Sequence, residues 1–396
     1  MITKENQIML NLLGSSLHSR KSEPVESDSW QIILKEMVAQ TVFALPSEYV
    51  NLEKINHTEQ TKYIQMTAKN IQTYHILMSE QQKLLDVLDN ANIPSVILKG
   101  SSAAVNYPEP AYRCMGDIDI IVKPDDFEKA YHIMCSAGYS TVESVEKYHR
   151  HIGFNTDKGI HIELHNYFST SRNKKQNTFL DQCIYNGIDK REVTELNGYK
   201  IAVLPVLENG LVLLGHINQH IGGGLGLRQI IDWMFYVEKY LSDDFWNTAF
   251  VEYVEKAGMK NLAVIITAMC KKYLSFESDS TWFNGADESL CDELMEYILA
   301  HGNFGRKNST LSTTISVLRW FRNPIYGFKE LQETGCRTWK TLDKHKWLTP
   351  LAWLYQIFRL INHGIKRGVT LSTAKESKKQ ELSETELLQK LGVTRL

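Results

Sequence analysis

Lys99-Gly100-Ser101-Ser102, followed after a short gap by Arg113-Cys114-Met115-Gly116-Asp117-Ile118-Asp119-Ile120-Ile121-Val122, is the stretch that decides the fold. The apolar run at 93–98 predicts a strand that a glycine-serine turn leaves, and Gly116-Asp117-Ile118-Asp119 then opens the next strand. Residues two apart on a strand point to the same face. Asp117 and Asp119 therefore sit side by side, with Ile118 and Ile120 turned into the core. Two carboxylates held that close repel each other unless a cation lies between them. Hard oxygen ligands of this kind suit Mg²⁺ carrying a nucleotide's phosphates, so the chain reads as a nucleotide-using enzyme.

A third acid belongs with this pair. After a helix-like segment from Asp125 to Ala137, two alternating runs follow: Arg150-His151-Ile152-Gly153-Phe154-Asn155 and Gly159-Ile160-His161-Ile162-Glu163-Leu164-His165. Asp157-Lys158-Gly159 between them is a hairpin signal. In the second run Ile160, Ile162 and Leu164 share one face and His161, Glu163 and His165 the other, which lets Glu163 face the same cleft as the aspartates. The string Gly-x-x-x-x-Gly-Lys-Ser/Thr is missing, and Lys99 precedes its glycine, which sets a P-loop aside.

Glycine-serine after a strand, then Asp-x-Asp, then one later acid on a neighbouring strand resembles the nucleotidyltransferase superfamily that includes DNA polymerase β. The form Leu98-Lys99-Gly100-Ser101, Tyr107-Pro108, Arg113-x-Met115-Gly116-Asp117-Ile118-Asp119 and Glu163-Leu164-His165 looks most like a bacterial branch of largely uncharacterised nucleotidyltransferases. The resemblance is rich in motifs from about Ile93 to His165 and more diffuse out to Tyr240. It implies Mg²⁺ (or Mn²⁺) as cofactor, a nucleoside triphosphate as substrate, and transfer of a nucleoside monophosphate to an acceptor hydroxyl with release of pyrophosphate. Asp117 and Asp119 would hold both metal ions, and Glu163 would complete the one on the nucleophile side. Gly100 and Ser101 would cradle phosphate at a helix N-terminus. Lys99 and Arg113 would either neutralise the triphosphate or pair with the acidic cluster. His161 and His165 flank Glu163 and would orient it, meet substrate, or serve as hydrogen-bonded strand histidines.

The expected fold class is α+β. A mixed-sheet core over 91–205 is flanked by a helical region over 1–90 and a C-terminal helical domain over 206–396. The strand candidates are 93–98, 117–122, 139–142, 150–155, 160–166 and 199–204. Helical breaks are expected at Gly222-Gly223-Gly224, near Asn303-Phe304-Gly305 and at Asn323-Pro324, and a terminal helix after the capping-box spacing of Ser383-Glu384-Thr385-Glu386. In the helical domain, His216 and His220 lie one turn apart on one face, followed by Arg228 and Asp232 at a spacing that lets them pair. This arrangement resembles the helices that close over the nucleotide in such enzymes, and makes the four residues candidates for meeting substrate. Two histidines at that spacing also suit zinc, but a third ligand is not evident.

At 396 residues, with 43% hydrophobic and 23% charged residues, the chain is an ordinary globular sequence of two or three domains. A net charge of −2 provides no global attraction to nucleic acid. The six cysteines lie far apart without a Cys-x-x-Cys, which argues for free thiols in a reducing compartment. No signal-peptide pattern and no run of about 20 apolar residues occurs, so a cytoplasmic protein is expected. From Arg337 to Arg367, Trp339, Trp347, Trp353, Tyr355 and Phe358 alternate with Lys and Arg. That segment reads as a helix pair with a basic rim, or as a surface for RNA or an anionic membrane. Three functions compete: transfer to a small molecule, saccharide or protein; modification of RNA ends, as by a toxin; and non-catalytic nucleotide binding, against which the presence of all three acids counts. Composition leaves the acceptor and the oligomeric state open.

Overall fold

Hydrophobic spacing in the first 90 residues produces three helices, each with a defined start. The structure is a computed structural model that describes residues 2–142, 145, 150–171, 173–303, 307, 328, 331–332, 334–336, 338–343, 345–366 and 384–393. Helix α1 (Lys4–Leu17) begins where the Thr3 hydroxyl accepts from the Asn6 N–H, and α2 (Ser27–Ala39) buries Trp30, Ile33, Leu34 and Met37. Helix α3 (His57–Asn90) starts at Asn56, whose side chain accepts from the Glu59 N–H. Its 34 residues span about 50 Å at 1.5 Å each. Leu77, Leu84, Leu85 and Leu88 of α3 pack into the same core as the sheet.

Four strands form that sheet: β1 (Ser95–Ile97), β2 (Asp117–Val122), β3 (His151–Asn155) and β4 (His161–His165), in the order β1-β2-β4-β3. β1 runs antiparallel to β2, β2 parallel to β4, and β3 antiparallel to β4. The parallel pair is made by a crossover through α5 (Pro124–Ser136). Ile97, Ile118, Ile120, Val122, Ile162 and Leu164 form one apolar core with α3 and with Phe127, Ala130 and Met134 of α5. The alternation that buries them sends Asp117, Asp119 and Glu163 to the opposite face.

Two strand expectations change. Residues 139–142 make only a single bridge, Ser140 with Asn155, rather than a strand. The run at 199–204 becomes β6 (Tyr199–Val203), which pairs with β5 (Glu192–Leu196) in a separate two-stranded sheet instead of joining the mixed sheet. Asn197 and Gly198 between them both have positive φ, 51° and 80°, the conformation of a two-residue hairpin turn. Between β4 and β5 lies α6 (Lys174–Ile188), and between β1 and β2 the short α4 (Ser101–Ala104).

Beyond β6 the described elements are helices. α7 (Val206–His220) ends in a 3-10 turn at Ile221–Gly223, where the glycine run was expected to break it, and α8 (Leu227–Tyr240) follows. α9 (Asp243–Phe245) continues through a π-helical turn into α10 (Val251–Lys256), then α11 (Lys260–Tyr273) and α12 (Glu288–His301). All of this belongs to one compact unit, 1–304 with 388–396. A second unit spans 305–387 and contains the helix Ala352–Lys366. In it Trp339 stacks on Tyr355 at 4.9 Å and Trp353 packs on Phe328, while Trp347 and Phe358 are exposed. Residues 384–390 are helical. The expected break at 323–324, most of the one near 303–305, and Arg337 and Arg367 lie outside the described residues. Among the described residues no helix is long and apolar enough to cross a membrane.

Candidate active site

The parallel register of β2 and β4 sets Asp119 beside Glu163 and Ile121 beside His165. The Leu98 N–H bonds the Asp119 carbonyl at 3.0 Å, so the chain leaving β1 delivers Lys99 next to the same residue. Lys99 Nζ lies 2.9 Å from Asp119 Oδ2 and 3.9 Å from Asp117 Oδ2. On the other side, His165 Nε2 lies 3.1 Å from Asp119 Oδ1 and 3.2 Å from Glu163 Oε2. Asp117, Asp119, Glu163, Lys99 and His165 thus line one cavity of about 280 Å³. Helix α7 supplies the facing residues Val212, His216, Gln219 and His220.

Charge in this cavity is unevenly balanced. Asp119, only 2% exposed, is pushed up by burial, but Lys99 and His165 outweigh that and hold its carboxyl well below the usual range. Burial likewise opposes the charge on Lys99 and His165, and the carboxylates reverse it: Lys99 is held above its ordinary value by Asp119 and Asp117, and His165 by Asp119 and Glu163. Burial pushes Glu163 up, but the His165 hydrogen bond together with the charges of His151 and His165 outweighs that and lowers it. Asp117 goes the other way. Burial and the neighbouring Asp119 raise it, and Lys99 does not compensate.

The remaining candidates divide. Gly100 has φ +67° and ψ −111°, a conformation open to glycine and strained for other residues, and it turns the chain from β1 into α4. Ser101 opens α4, but it is fully buried and its hydroxyl donates to Gln81 Oε1 of α3 at 2.7 Å. Arg113 is buried and grips Asp232 with two hydrogen bonds, Nε to Oδ1 and Nη2 to Oδ2, each 2.7 Å; Tyr107 donates to the same carboxylate. Arg228 sends Nη1 to the Cys114 carbonyl at 2.7 Å. None of Ser101, Arg113, Arg228 and Asp232 lines the cavity, whereas His216 and His220 do, their rings 4.3 Å apart. His216 is 6% exposed, and its buried Nε2 has no hydrogen-bond partner among the described residues. Burial, Lys99 and His220 push its pKa well below the ordinary value, so it stays neutral.

Sequence reading did not single out Arg150, His151, Phe168 and Gln219, which also line the cavity. Arg150 donates from Nη2 to Gln219 Oε1 at 3.0 Å, and Gln219 in turn donates to the Phe168 carbonyl. A signal for His151 exists in the hairpin: its Cα partner across β3–β4 is His165. Arg150 and Gln219 meet across a separation of 69 residues and leave no local trace.

The sequence pattern of a family described as uncharacterised nucleotidyltransferases matches residues 26–275, which contain the whole mixed sheet and α7. Among solved structures, the crystal structure of an antigenic nucleotidyltransferase-like protein from Paracoccidioides brasiliensis is similar at 15% identity, covering 52% of this chain and 92% of that one with a TM-score of 0.32. No curated protein matches the chain.

Proposed function

The chain belongs to this family of uncharacterised nucleotidyltransferases and is a transferase, and from that premise we propose that it moves a nucleoside monophosphate from a nucleoside triphosphate to an acceptor hydroxyl, releasing pyrophosphate. The observation that carries the reading is the convergence of Asp117, Asp119 and Glu163 with Lys99 on one cavity.

The residues present fit a divalent cation. Their carboxylates are hard oxygen donors, and Asp117 stays above its ordinary value although Lys99 is 3.9 Å away. Burial is the first cause and the Asp119 charge the second, and a cation between the two carboxylates would relieve the second. Asp117, Asp119 and Glu163 would hold Mg²⁺ or Mn²⁺. Bound there, the cation would lower the pKa of the acceptor hydroxyl and stabilise the departing pyrophosphate.

The chain's own side chains do the rest. Lys99 keeps Asp119 ionised and close to Asp117, and gives the cleft a half-buried positive charge to set against a triphosphate. His165 Nε2 stands between Asp119 and Glu163 and, while it carries a proton, keeps the two carboxylates from separating; a metal ion bound at that nitrogen would take the proton's place. Gly100 brings the backbone through a tight turn at the head of α4, and its N–H lies where no Cβ intrudes. Arg150, tied to Gln219, adds a second cation to the wall. His216 and His220 project from α7 across the cleft as contacts for substrate. The acceptor is a hydroxyl of a small molecule, a saccharide or a protein.

Labelled nucleotide tests the reading. With Mg²⁺ or Mn²⁺ and a panel of acceptors, label on the α-phosphate should move to the acceptor while pyrophosphate appears. Transfer of γ-label, or hydrolysis with no acceptor product, would overturn it.

A further inference from the structure

We propose that His151, Glu163 and His165 form a metal site of mixed nitrogen and oxygen donors that takes a divalent first-row transition metal, Mn²⁺ or a later ion, in preference to Mg²⁺. The three come from one local pairing. His151 on β3 lies opposite His165 on β4, and Glu163 is two residues earlier on β4, so all three project from one face of the antiparallel ladder. His165 Nε2 is 3.2 Å from Glu163 Oε2, and His151 Nε2 is 3.8 Å from Glu163 Oε1. One donor atom from each lies within 4.8 Å of the others. A metal with bonds of 2.0–2.2 Å sets neighbouring donors about 3.0–3.5 Å apart, so side-chain rotations of about 1 Å close the site.

The donor set decides which ion it takes. Mg²⁺ prefers oxygen ligands and surrenders its water reluctantly, whereas imidazole nitrogen suits the transition ions. Across the same cavity His216 offers a further imidazole whose Nε2 is buried without a partner among the described residues, an arrangement that is unfavourable until something engages it. The Nδ1 atoms of His151 and His165 are also buried with no partner among the described residues, so no second-layer carboxylate stiffens the ligands. The site is therefore an exchangeable one. It separates the cleft into an oxygen-only end at Asp117 and Asp119 and a nitrogen-bearing end at Glu163. The inference rests on the transferase reading in that Glu163 serves both ends.

The full-length protein, stripped with chelator and titrated with Mn²⁺ alone, provides the test. Pulsed EPR of the bound Mn²⁺ should show nitrogen couplings from coordinated imidazole. Calorimetry should find Mn²⁺ bound at least about tenfold more tightly than Mg²⁺. His151→Gln should weaken Mn²⁺ by about tenfold or more and leave Mg²⁺ within about twofold. Bound Mn²⁺ without nitrogen coupling, no Mn²⁺ binding, or an unchanged Mn²⁺ affinity in the variant would each overturn the proposal. If the variant does not fold, the wild-type nitrogen signal decides alone. Transfer of α-label with Mg²⁺ but no nitrogen coupling removes this site and leaves the transferase; nitrogen coupling with no transfer under either ion does the reverse.

Discussion

Two clusters of charged side chains lie close in sequence and are built on opposite principles. In the first, Arg113, Asp232 and Tyr107 close on themselves: both oxygens of Asp232 accept from the guanidinium, Tyr107 adds a third hydrogen bond, and both charged side chains are 4% exposed. In the second, Asp117, Asp119, Glu163, Lys99 and His165 surround a cavity of about 280 Å³, and the balance is incomplete. Asp117 is raised by burial and by Asp119, and His216 Nε2 faces no partner among the described residues. A closed network fixes which elements meet, here α8 against the loop before β2, and presents nothing to a ligand. An open one holds charge and unpaired donors within reach of a ligand. The motif Arg113…Asp117-x-Asp119 contributes its arginine to the first cluster and its acids to the second.

The contrast is tested first at the open end. Asp119→Asn keeps the shape of the side chain but removes the charge that Lys99, His165 and a bound cation share. Pyrophosphate release should fall on the order of 10³-fold or more, about 4 kcal/mol of barrier, with circular dichroism unchanged. Near-normal turnover under saturating metal would show that Asp119 belongs with the closed cluster.

The mirror experiment, at the closed end, is Arg113→Met. Removing one partner of a buried pair leaves an uncompensated charge, and about 3 kcal/mol of stability should be lost in urea unfolding. The low end of the usual range applies because Tyr107 still donates to Asp232. At a temperature where the variant remains folded, kcat should stay within about twofold of wild type. A collapse of kcat without loss of stability would place Arg113 in the chemistry instead.

How far each cluster is legible in the sequence follows from the range of its contacts. The acids are legible because alternation along β2 and β4 is a local pattern, and a parallel register of two such strands brings their outward faces together. The helical reading of 57–90 is legible for the same reason. Arg113 finds Asp232 across 119 residues, and no spacing announces that. The i, i+4 placement of Arg228 and Asp232 suggests a pair, but the hydrogen bonds of both go to the loop before β2. Ser101 looks like a phosphate ligand until α3 presents Gln81 to it. Strand β5 escapes detection because Glu192-Val193-Thr194-Glu195 is exposed on both faces and shows no apolar alternation.

A smaller effect is expected at the turn that separates the clusters. At Gly100 an added Cβ would meet nothing nearer than Met115 Sδ at 3.8 Å, so space is available, but φ +67° with ψ −111° is a conformation other residues avoid. Gly100→Ala should therefore destabilise by about 2 kcal/mol through backbone strain alone. The accompanying shift of Lys99 should raise the KM for nucleotide more than it lowers kcat. Unchanged stability would mean that the turn relaxes, and that Lys99 is positioned by its carboxylates rather than by the backbone.

The smallest effect concerns His216, the unpaired imidazole over the open cluster. Burial, Lys99 and His220 hold its folded-state pKa well below the ordinary 6.5 of an exposed histidine. Above about pH 6.5 the ring is neutral in both the folded and unfolded chains, and its contribution to stability is fully present. As the pH falls from there toward the folded value, the unfolded chain takes up a proton that the folded one refuses, and stability is lost by at most about 1.4 kcal/mol per pH unit. His216→Asn removes that titration and leaves all others in place. The difference in unfolding free energy between wild type and variant should therefore shrink, or turn in the variant's favour, between about pH 7.5 and 5.5. The loss caused by Arg113→Met should be far flatter over the same window, since Arg113 is held above an already high value. A wild-type difference from His216→Asn that does not move with pH would show that the imidazole is solvated or already partnered, and would erase the feature that most separates the open cluster from the closed one.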